Sequence, residues 1–407
     1  MRFFYVFAIR FYGFFIKIVS PFNHKAKDWV TGRKQLWDSL PDVADREVYW
    51  FHCASLGEFD QGLPVMNLLR NQKPNVFILV TFFSPSGYNH YKKRKNPVDF
   101  ACYIPLDTKK NAKRFVEYFK PKKSFFIKYE FWTNHIFQLK KNDSKLYSVS
   151  TSLRASQHYF KWYGSFFRKT LNQFDYFFAQ NQSTVDLLHS INIENVSLTG
   201  DTRFDRVLEN KNALVKNDLI EYFVADNYNV FIAGSTWPKD EELLIDLIHS
   251  DLFEKYIIVP HNVDKEHIEK LQNQINKKTS CYSKLDKNSR IDDVNVLIVD
   301  TIGQLASAYS FGTIAYVGGG FSGNLHNILE PAVFGLPVIY GPKFSRFPEG
   351  NAFIEEEIGF SVTEKNELLK TIQFTLQNKK QISDKSIAFV EKNKGASQKV
   401  LKFVESE

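Results

Sequence analysis

Two carboxylates stand directly after apolar, strand-like runs, where an α/β sheet presents the groups that handle ligands. Glu58 follows the run 47–54 across a turn at Ser55-Leu56-Gly57 and opens a helix with Val65, Leu68 and Leu69 on its inner face. A helix dipole favours a carboxylate at that point, so both a ligand-facing acid and an ordinary helix-start acid are open readings. Glu130 follows the run 124–129 and precedes Phe131, Trp132 and Asn134. A semi-buried carboxylate among aromatic rings needs partners. It either supports ligand or catalytic groups or pairs with a neighbouring Lys or Arg.

A third segment is glycine-rich. Gly318, Gly320 and Gly323 satisfy G-x-G-x-x-G after the strand-like run 314–318. A dinucleotide site also needs an acid about 20 residues on, at the end of the next strand. That neighbourhood reads Pro337-Val338-Ile339-Tyr340, without one. Glu330 comes much sooner, inside 325–332, a predicted helix whose one face carries His326, Asn327 and Glu330. Glycine amides and a helix N-terminus receive phosphate, while a carboxylate in the helix accepts ribose hydroxyls, which suits a sugar nucleotide. The plain alternative is a tight strand-turn-helix with Glu330 solvated.

These segments need a scaffold, and 407 residues exceed what one core usually organises. After residue 45, strand-like runs alternate with amphipathic stretches, which predicts doubly wound α/β domains with parallel sheets. Strands are expected at 47–54, 76–83, 101–106, 124–129, 145–151, 176–180 and 196–199. A second series is expected at 229–234, 256–260, 296–300, 314–318 and 337–340. The polar stretch 209–226 between them reads as a linker. The expected plan is a helix over 1–22, an N-terminal Rossmann-like acceptor domain over 23–212 and a C-terminal Rossmann-like nucleotide-sugar domain over 213–407. The two domains are expected to face a central cleft.

The first 22 residues are mostly apolar and aromatic, but Arg10 and Lys17 interrupt them before about 18 clean apolar residues accumulate. On a helix these two share a polar stripe, with Phe3, Phe7, Phe11, Phe14, Phe15 and Ile18 around the remainder. That pattern predicts a helix lying in a membrane interface, with Lys25, Lys27, Arg33 and Lys34 against anionic headgroups. A net charge of +8 agrees with an anionic partner. Nucleic acid is disfavoured, because the basic residues cluster at the N-terminus and no nucleic-acid-binding signature is present. Cys53, Cys102 and Cys281 are widely spaced and indicate neither a disulfide framework nor a zinc site, which fits a reducing, cytoplasmic setting.

Taken in order, the motifs resemble those of the Kdo (3-deoxy-D-manno-octulosonic acid) transferases, glycosyltransferases of the GT-B class. Ala54-Ser55-Leu56-Gly57-Glu58 matches A-S-[VL]-G-E, and Glu130-Phe131-Trp132-Thr133-Asn134 matches E-x-W-x-N. Thr199-Gly200-Asp201-Thr202-Arg203-Phe204-Asp205 matches T-G-x-x-[KR]-F-D. Ala233-Gly234-Ser235-Thr236, Val259-Pro260-His261, Asp300-Thr301-Ile302-Gly303 and the block 318–342 follow in the family's order.

The resemblance implies Glu58 as general base and Glu130 as a second catalytic-site acid. It implies CMP-Kdo contacts from Arg203, Ser235, Thr236, Pro260, His261, Ile302, Gly303, Gly319, Gly320, Asn327 and Glu330. The implied reaction is inverting transfer of Kdo from CMP-Kdo to a lipid A precursor (lipid IVA) in lipopolysaccharide core synthesis, without metal or other cofactor. The implied location is the cytoplasmic side of the inner membrane, peripheral or anchored by the N-terminus. Two departures stand out: Pro260-His261-Asn262 replaces the common P-R-H, and 343–347 is unusually charged. Another nucleotide-sugar transferase or an epimerase would keep the second-half block without needing Glu58. A membrane-bound sugar-nucleotide-binding protein without catalysis is the third class.

Overall fold

Strands such as Val48–Cys53 and Phe77–Phe82 bury every residue, so both of their faces must be covered. The computed structural model describes residues 2–43, 45–92, 96–225, 229–286, 289, 291 and 293–407. Within them lie two parallel sheets of seven strands. The first comprises β1 (Val48–Cys53), β2 (Phe77–Phe82), β3 (Phe100–Tyr103), β4 (Lys123–Ile127), β5 (Lys145–Thr151), β6 (Tyr176–Ala179) and β7 (Val196–Leu198), in the order β3-β2-β1-β4-β5-β6-β7. The second comprises β8 (Val230–Thr236), β9 (Lys255–Pro260), β10 (Thr279–Cys281), β11 (Val296–Ile298), β12 (Ile314–Val317), β13 (Val338–Tyr340) and β14 (Gly359–Ser361), in the order β10-β11-β9-β8-β12-β13-β14. The doubly wound α/β reading holds. Two strands escaped it, β10 and β14, both three-residue edges of the second sheet without an apolar run to announce them.

Each sheet separates two core layers, because successive side chains point to opposite faces. In β1, Trp50 packs with Phe115, Phe126 and Leu146 on one side, while Tyr49 and Phe51 pack with Phe59, Met66 and Phe125 on the other. Residues up to Arg206 join Asn393–Glu407 in one compact unit, and Val207–Lys392 form the second. The expected domain over 213–407 therefore loses its last segment to the first unit. The amphipathic helix Ala396–Ser406 is the reason. It buries Val400, Leu401 and Val404 in the layer that holds Leu63, Val65 and Met66, and Asp205 accepts from Gly395 N at 2.5 Å and Ser397 N at 2.7 Å.

The expected linker 209–226 is mostly helical. The helices Thr202–Asn212 and Asp218–Val224 occupy most of it, and Asp226 lies outside the described residues. Asn217 caps the second of these by accepting from Leu219 N and Ile220 N, and Ile220, Phe223 and Val224 are buried. The polar residues at the start of the stretch mask this apolar face.

At the N-terminus stand α1 (Arg2–Val19) and α2 (His24–Gln35), both in the first unit. On α1, Phe3, Phe7, Phe11, Phe14, Phe15 and Ile18 are all more than half exposed. Among the described residues no helix is long and apolar enough to cross a membrane. Arg33 departs from its expected place in a headgroup-facing cluster: it is buried, stacked 3.7 Å over Trp29, while Lys25, Lys27 and Lys34 are exposed. The three cysteines are free and buried.

Because Leu401 is fully enclosed in the first unit's core, Leu401→Ala should cost about 2–4 kcal/mol of that unit's stability by the usual large-to-small penalty. A urea melt followed through the first unit's tryptophans checks this. An unchanged midpoint would mean that the C-terminal helix is only loosely attached.

Candidate functional site

In each sheet the winding reverses direction at one place, and there the loops diverge to leave a crevice at the strands' carboxyl ends. In the first sheet the reversal lies between β1 and β4, and these are the strands followed by Glu58 and Glu130. The helix Leu56–Gln72, α3, starts at the end of β1 with Ser55 as N-cap. Glu58 accepts from Ser55 N at 2.8 Å and from Ser55 Oγ at 3.3 Å. It is thus a helix-start acid, buried at 7% exposure. Burial pushes its carboxyl above the ordinary range, opposed by the Ser55 amide and the Lys128 charge.

After β4 the chain turns through Lys128 in the left-handed region, φ 65°. Glu130 Oε2 is buried without a hydrogen-bond partner, and among the described residues no cation pairs with Glu130, which counts against the ion-pair reading. Burial first, and the negative charge of Glu58 second, push Glu130 up to about 7. The two acids therefore share one electrostatic site. Burial pushes both of them toward holding a proton.

A carboxylate with no exposure, Asp107, fixes the Glu130 loop. It accepts from Asn134 N at 3.0 Å, His135 N at 3.0 Å, His135 Nδ1 at 2.6 Å and, from α1, Tyr5 Oη at 2.6 Å. Burial would raise its pKa, but the hydrogen bonds and charge of His135, with the Tyr5 and Asn134 bonds, outweigh burial and hold it below the usual range. Trp132 Nε1 donates to His52 Nε2 at 2.9 Å, which leaves His52 Nδ1 to donate to Thr81 Oγ1 at 2.9 Å. Burial lowers His52 to about 3, so this buried imidazole is neutral. Arg203, also in the first unit, is paired with Asp201 at 2.7 Å, and Asp201 accepts from Gln61 of α3 at 3.1 Å.

In the second sheet the reversal lies between β8 and β12. Gly319 has φ +88°, and a Cβ on it would stand 2.2 Å from Asn324 O; one on Gly320 would stand 2.5 Å from Gly341 N. Only glycine fits at either position. Asp240, another buried carboxylate, holds the loop by accepting from Gly319 N at 2.9 Å, Trp237 N at 2.9 Å and Tyr316 Oη at 2.7 Å. Ser235 takes φ 53° at the end of β8, and Thr236 Oγ1 donates to Glu241 at 2.9 Å.

Pro260 ends β9, and His261 N donates to Thr236 O at 2.9 Å. The His261 ring stacks on Trp237 at 4.4 Å and lies 4.7 Å from His326, whose Nε2 accepts from Trp237 Nε1 at 3.2 Å. Burial lowers His261, and burial with the His261 charge lowers His326 to about 4. The position that departs from P-R-H thus carries a ring stacked on Trp237. Ile302 is 77% exposed after β11, and an added Cβ on Gly303 would meet nothing within 4 Å.

Asn327 Nδ2 donates to Glu330 Oε1 at 3.2 Å, and Asn327 Oδ1 accepts from Leu329 N. The helix here is only Leu329–Ala332, so His326 and Asn327 precede it and do not share a helical face with Glu330. The 318–328 segment is used by the loop that Asp240 holds, which delays the helix. Of the second-half set, Ser235, Thr236 and Pro260 end β8 and β9, while His261 follows β9 and Gly319 and Gly320 follow β12. Asp107, Asp240, His52 and Trp237 were not singled out from sequence. A lone acid in a loop carries no periodic signal.

A family profile described as 3-deoxy-D-manno-octulosonic-acid transferase (kdotransferase) matches residues 30–206. The chain is 30% identical over 344 residues to 3-deoxy-D-manno-octulosonic acid transferase of Aquifex aeolicus, covering 82% of this chain and 87% of that one. It is 27% identical over 391 residues to a bifunctional glycosyltransferase/methyltransferase of Fusobacterium nucleatum, covering 93% of this chain and 60% of that longer protein. Among solved structures, UDP-GlcNAc 2-epimerase from Neisseria meningitidis is similar with TM-score 0.63 and 15% identity, over 89% of this chain and 100% of that one. MurG of Acinetobacter baumannii is similar with TM-score 0.54 and 12% identity, over the same shares. These GT-B-like neighbours share the architecture alone.

The raised pKa of Glu130 has a stability consequence. The folded state retains its proton up to about pH 7, whereas the unfolded chain loses it near 4.5. Folding is therefore penalised as pH rises through that window. Glu130→Gln should stabilise the protein at pH 8 by roughly 2 kcal/mol, allowing for its partial exposure, and leave it unchanged below pH 4.5. Denaturant melts of both proteins at the two pH values test this. A gain that persists at low pH would mean that the effect does not come from the charge of the carboxylate.

Proposed function

The chain belongs to the 3-deoxy-D-manno-octulosonic acid transferase family, and from that premise we propose that it transfers Kdo from CMP-Kdo to a lipid A precursor, with inversion, using Glu58 as general base. The observation that carries this reading is the pair of electrostatically linked acids at the β1/β4 reversal, Glu58 buried and Glu130 half-buried. Glu58 is held by the Ser55 amide at the helix start, and burial with the Glu58 charge pushes Glu130 up to about 7. A carboxylate pushed upward by burial is a stronger base than an exposed one.

In the reaction, Glu58 takes the proton of an acceptor sugar hydroxyl as that oxygen attacks the anomeric carbon of Kdo. The bond from that carbon to the CMP phosphate oxygen breaks, and CMP leaves with the electron pair. One displacement inverts the configuration. Glu130, protonated, donates a hydrogen bond to the sugar ligand and limits the negative charge beside Glu58.

The donor nucleotide is assigned to the second unit's loops. Its phosphate meets the amides of Gly319 and Gly320 with Ser235 and Thr236. Asn327 and Glu330 receive the ribose, and the Trp237–His261 stack and Ile302-Gly303 border the base. Because CMP departs with its charge already on phosphate, the loop amides stabilise it without a further charge. The exposed phenylalanines of α1, with Lys25, Lys27 and Lys34 on α2, support attachment to the anionic inner-membrane surface on the cytoplasmic side, lying in the interface. The epimerase alternative is favoured by fold likeness at 15% identity and does not account for the first unit's acids.

The purified protein, given CMP-Kdo and a tetra-acylated disaccharide lipid A precursor, should release CMP and add Kdo to the lipid. Glu58→Gln should cut turnover by at least about a hundredfold, the usual scale for losing a general base, with CMP-Kdo binding retained. Full turnover in the variant would remove Glu58 from this role. No transfer by the wild type would refute the substrate assignment.

A further inference from the structure

Two cavities lie against different faces of α1, both within the first unit. One, of about 580 Å³, is lined by Tyr5, Ile9, Tyr12, Leu106, Trp132 and Phe167 and is almost wholly apolar. Tyr12 stacks on Phe83 at 6.1 Å and Phe83 on Trp132 at 5.0 Å, so this cavity reaches the loop that carries Glu130. The other, of about 480 Å³, has Arg10, Lys17, Arg33 and Lys34 on its wall, with Trp29 and Asn111. Pro105 and Leu106 line both cavities, so the two adjoin. Gly13 of α1 allows the approach, since a Cβ there would stand 2.7 Å from Leu106 Cδ2.

The basic cavity is more than a cluster of surface charge. No Asp or Glu lines it, and Arg33 is only 8% exposed. The terminal nitrogens of Arg33 donate to two carbonyls, Trp29 O at 3.3 Å and Phe83 O at 3.2 Å, while its Nε has no partner. Trp29 is 6% exposed, and its Nε1 has no partner either. Burial without a counter-anion lowers the Arg33 pKa to about 9, so the cation is retained at a cost. Arg33 and Trp29, each keeping a buried donor without an acceptor among the described residues, line this cavity with Arg10, Lys17 and Lys34, a lining that suits a phosphate.

A free anion would satisfy only the basic cavity and leave the apolar one, with its tyrosine, tryptophan and phenylalanine rings, without a complement. An amphiphile satisfies both. The charge count favours a monoester, whose second negative charge lets it engage more of the four cations than a diester does. We propose that the two cavities form one lipid site, in which the pocket at Arg33 takes the phosphate monoester of a lipid headgroup and the apolar pocket beside Trp132 takes one of its acyl chains. This rests on the reading of the acceptor as a lipid, and it makes α1 a wall of the acceptor site as well as an attachment element.

The test is equilibrium binding of the full chain to phosphatidylcholine vesicles. These are doped either with phosphatidate, a monoester, or with phosphatidylglycerol, a diester, at matched total surface charge. Wild type should prefer phosphatidate by about tenfold, the worth of one charge-assisted contact set. Arg33→Gln should remove the preference and keep the general attraction to anionic vesicles. Because Arg33 is buried, the exposed pair Lys17→Gln with Lys34→Gln serves as the second variant and should lose most of the preference without altering the thermal melt. A short-chain phosphatidate should displace the protein from the vesicles far better than inorganic phosphate.

Equal binding to both vesicle types by the wild type would overturn the proposal. So would a folded Arg33→Gln that keeps the preference, or displacement by inorganic phosphate as good as by the short-chain lipid. The readout does not depend on turnover. A preserved preference with no Kdo transfer would refute the catalytic reading and leave the lipid site, whereas transfer without the preference would do the reverse.

Discussion

A carboxylate taken out of water has to find donors, and the way Asp107 finds them sets the geometry of the first unit's site. Its oxygens gather two backbone amides and a ring nitrogen from the start of the helix after Glu130, and a hydroxyl from α1. Three pieces of chain distant in sequence are thereby fixed to one buried charge. Losing one donor would leave the others to bear the desolvation cost, so the cluster holds together as a whole. Glu130 at the β1/β4 reversal can then keep one oxygen without a partner among the described residues, because the surrounding loop is held by something else.

The second unit repeats the device with other residues. Asp240 gathers the amides of Gly319 and Trp237 and the hydroxyl of Tyr316, placing a glycine loop at the mouth of the β8/β12 reversal. The donors that the carboxylate engages keep the loop open, and the close backbone approach at Gly320 requires the absence of a side chain. Neither unit relies on a surface ion pair to shape its site. Both use a desolvated acid saturated by backbone and hydroxyl donors, which is less sensitive to salt.

The scaffold was legible because parallel strands buried on both faces are written as apolar runs, as in Phe77–Phe82. Glu58 was legible because a turn and a helix start are local signals, and the glycines because close approach admits no other residue. What stayed hidden was long-range. Asp107 and Asp240 look like ordinary loop or helix-start acids until their partners are known. Val400, Leu401 and Val404 announce an amphipathic helix but not which core it enters. The short helix at Leu329–Ala332 was overestimated, since the chain before it is committed to the glycine loop. Membrane attachment, donor and acceptor rest on family and surface chemistry, which sequence pattern foreshadows but fold does not decide.

The return of Asn393–Glu407 to the first unit also bears on how the chain is made. The first unit's sheet and most of its helices leave the ribosome before the second unit is synthesised. Its core nevertheless stays open on one face until the whole of that unit has followed. During this interval Leu63, Val65 and Met66 lack their cover, so the nascent protein carries an apolar face that a chaperone or an intermolecular contact can occupy. The polypeptide thus couples the maturation of its acid-bearing half to completion of its glycine-loop half, and an interrupted synthesis yields an aggregation-prone product in place of a working half-enzyme.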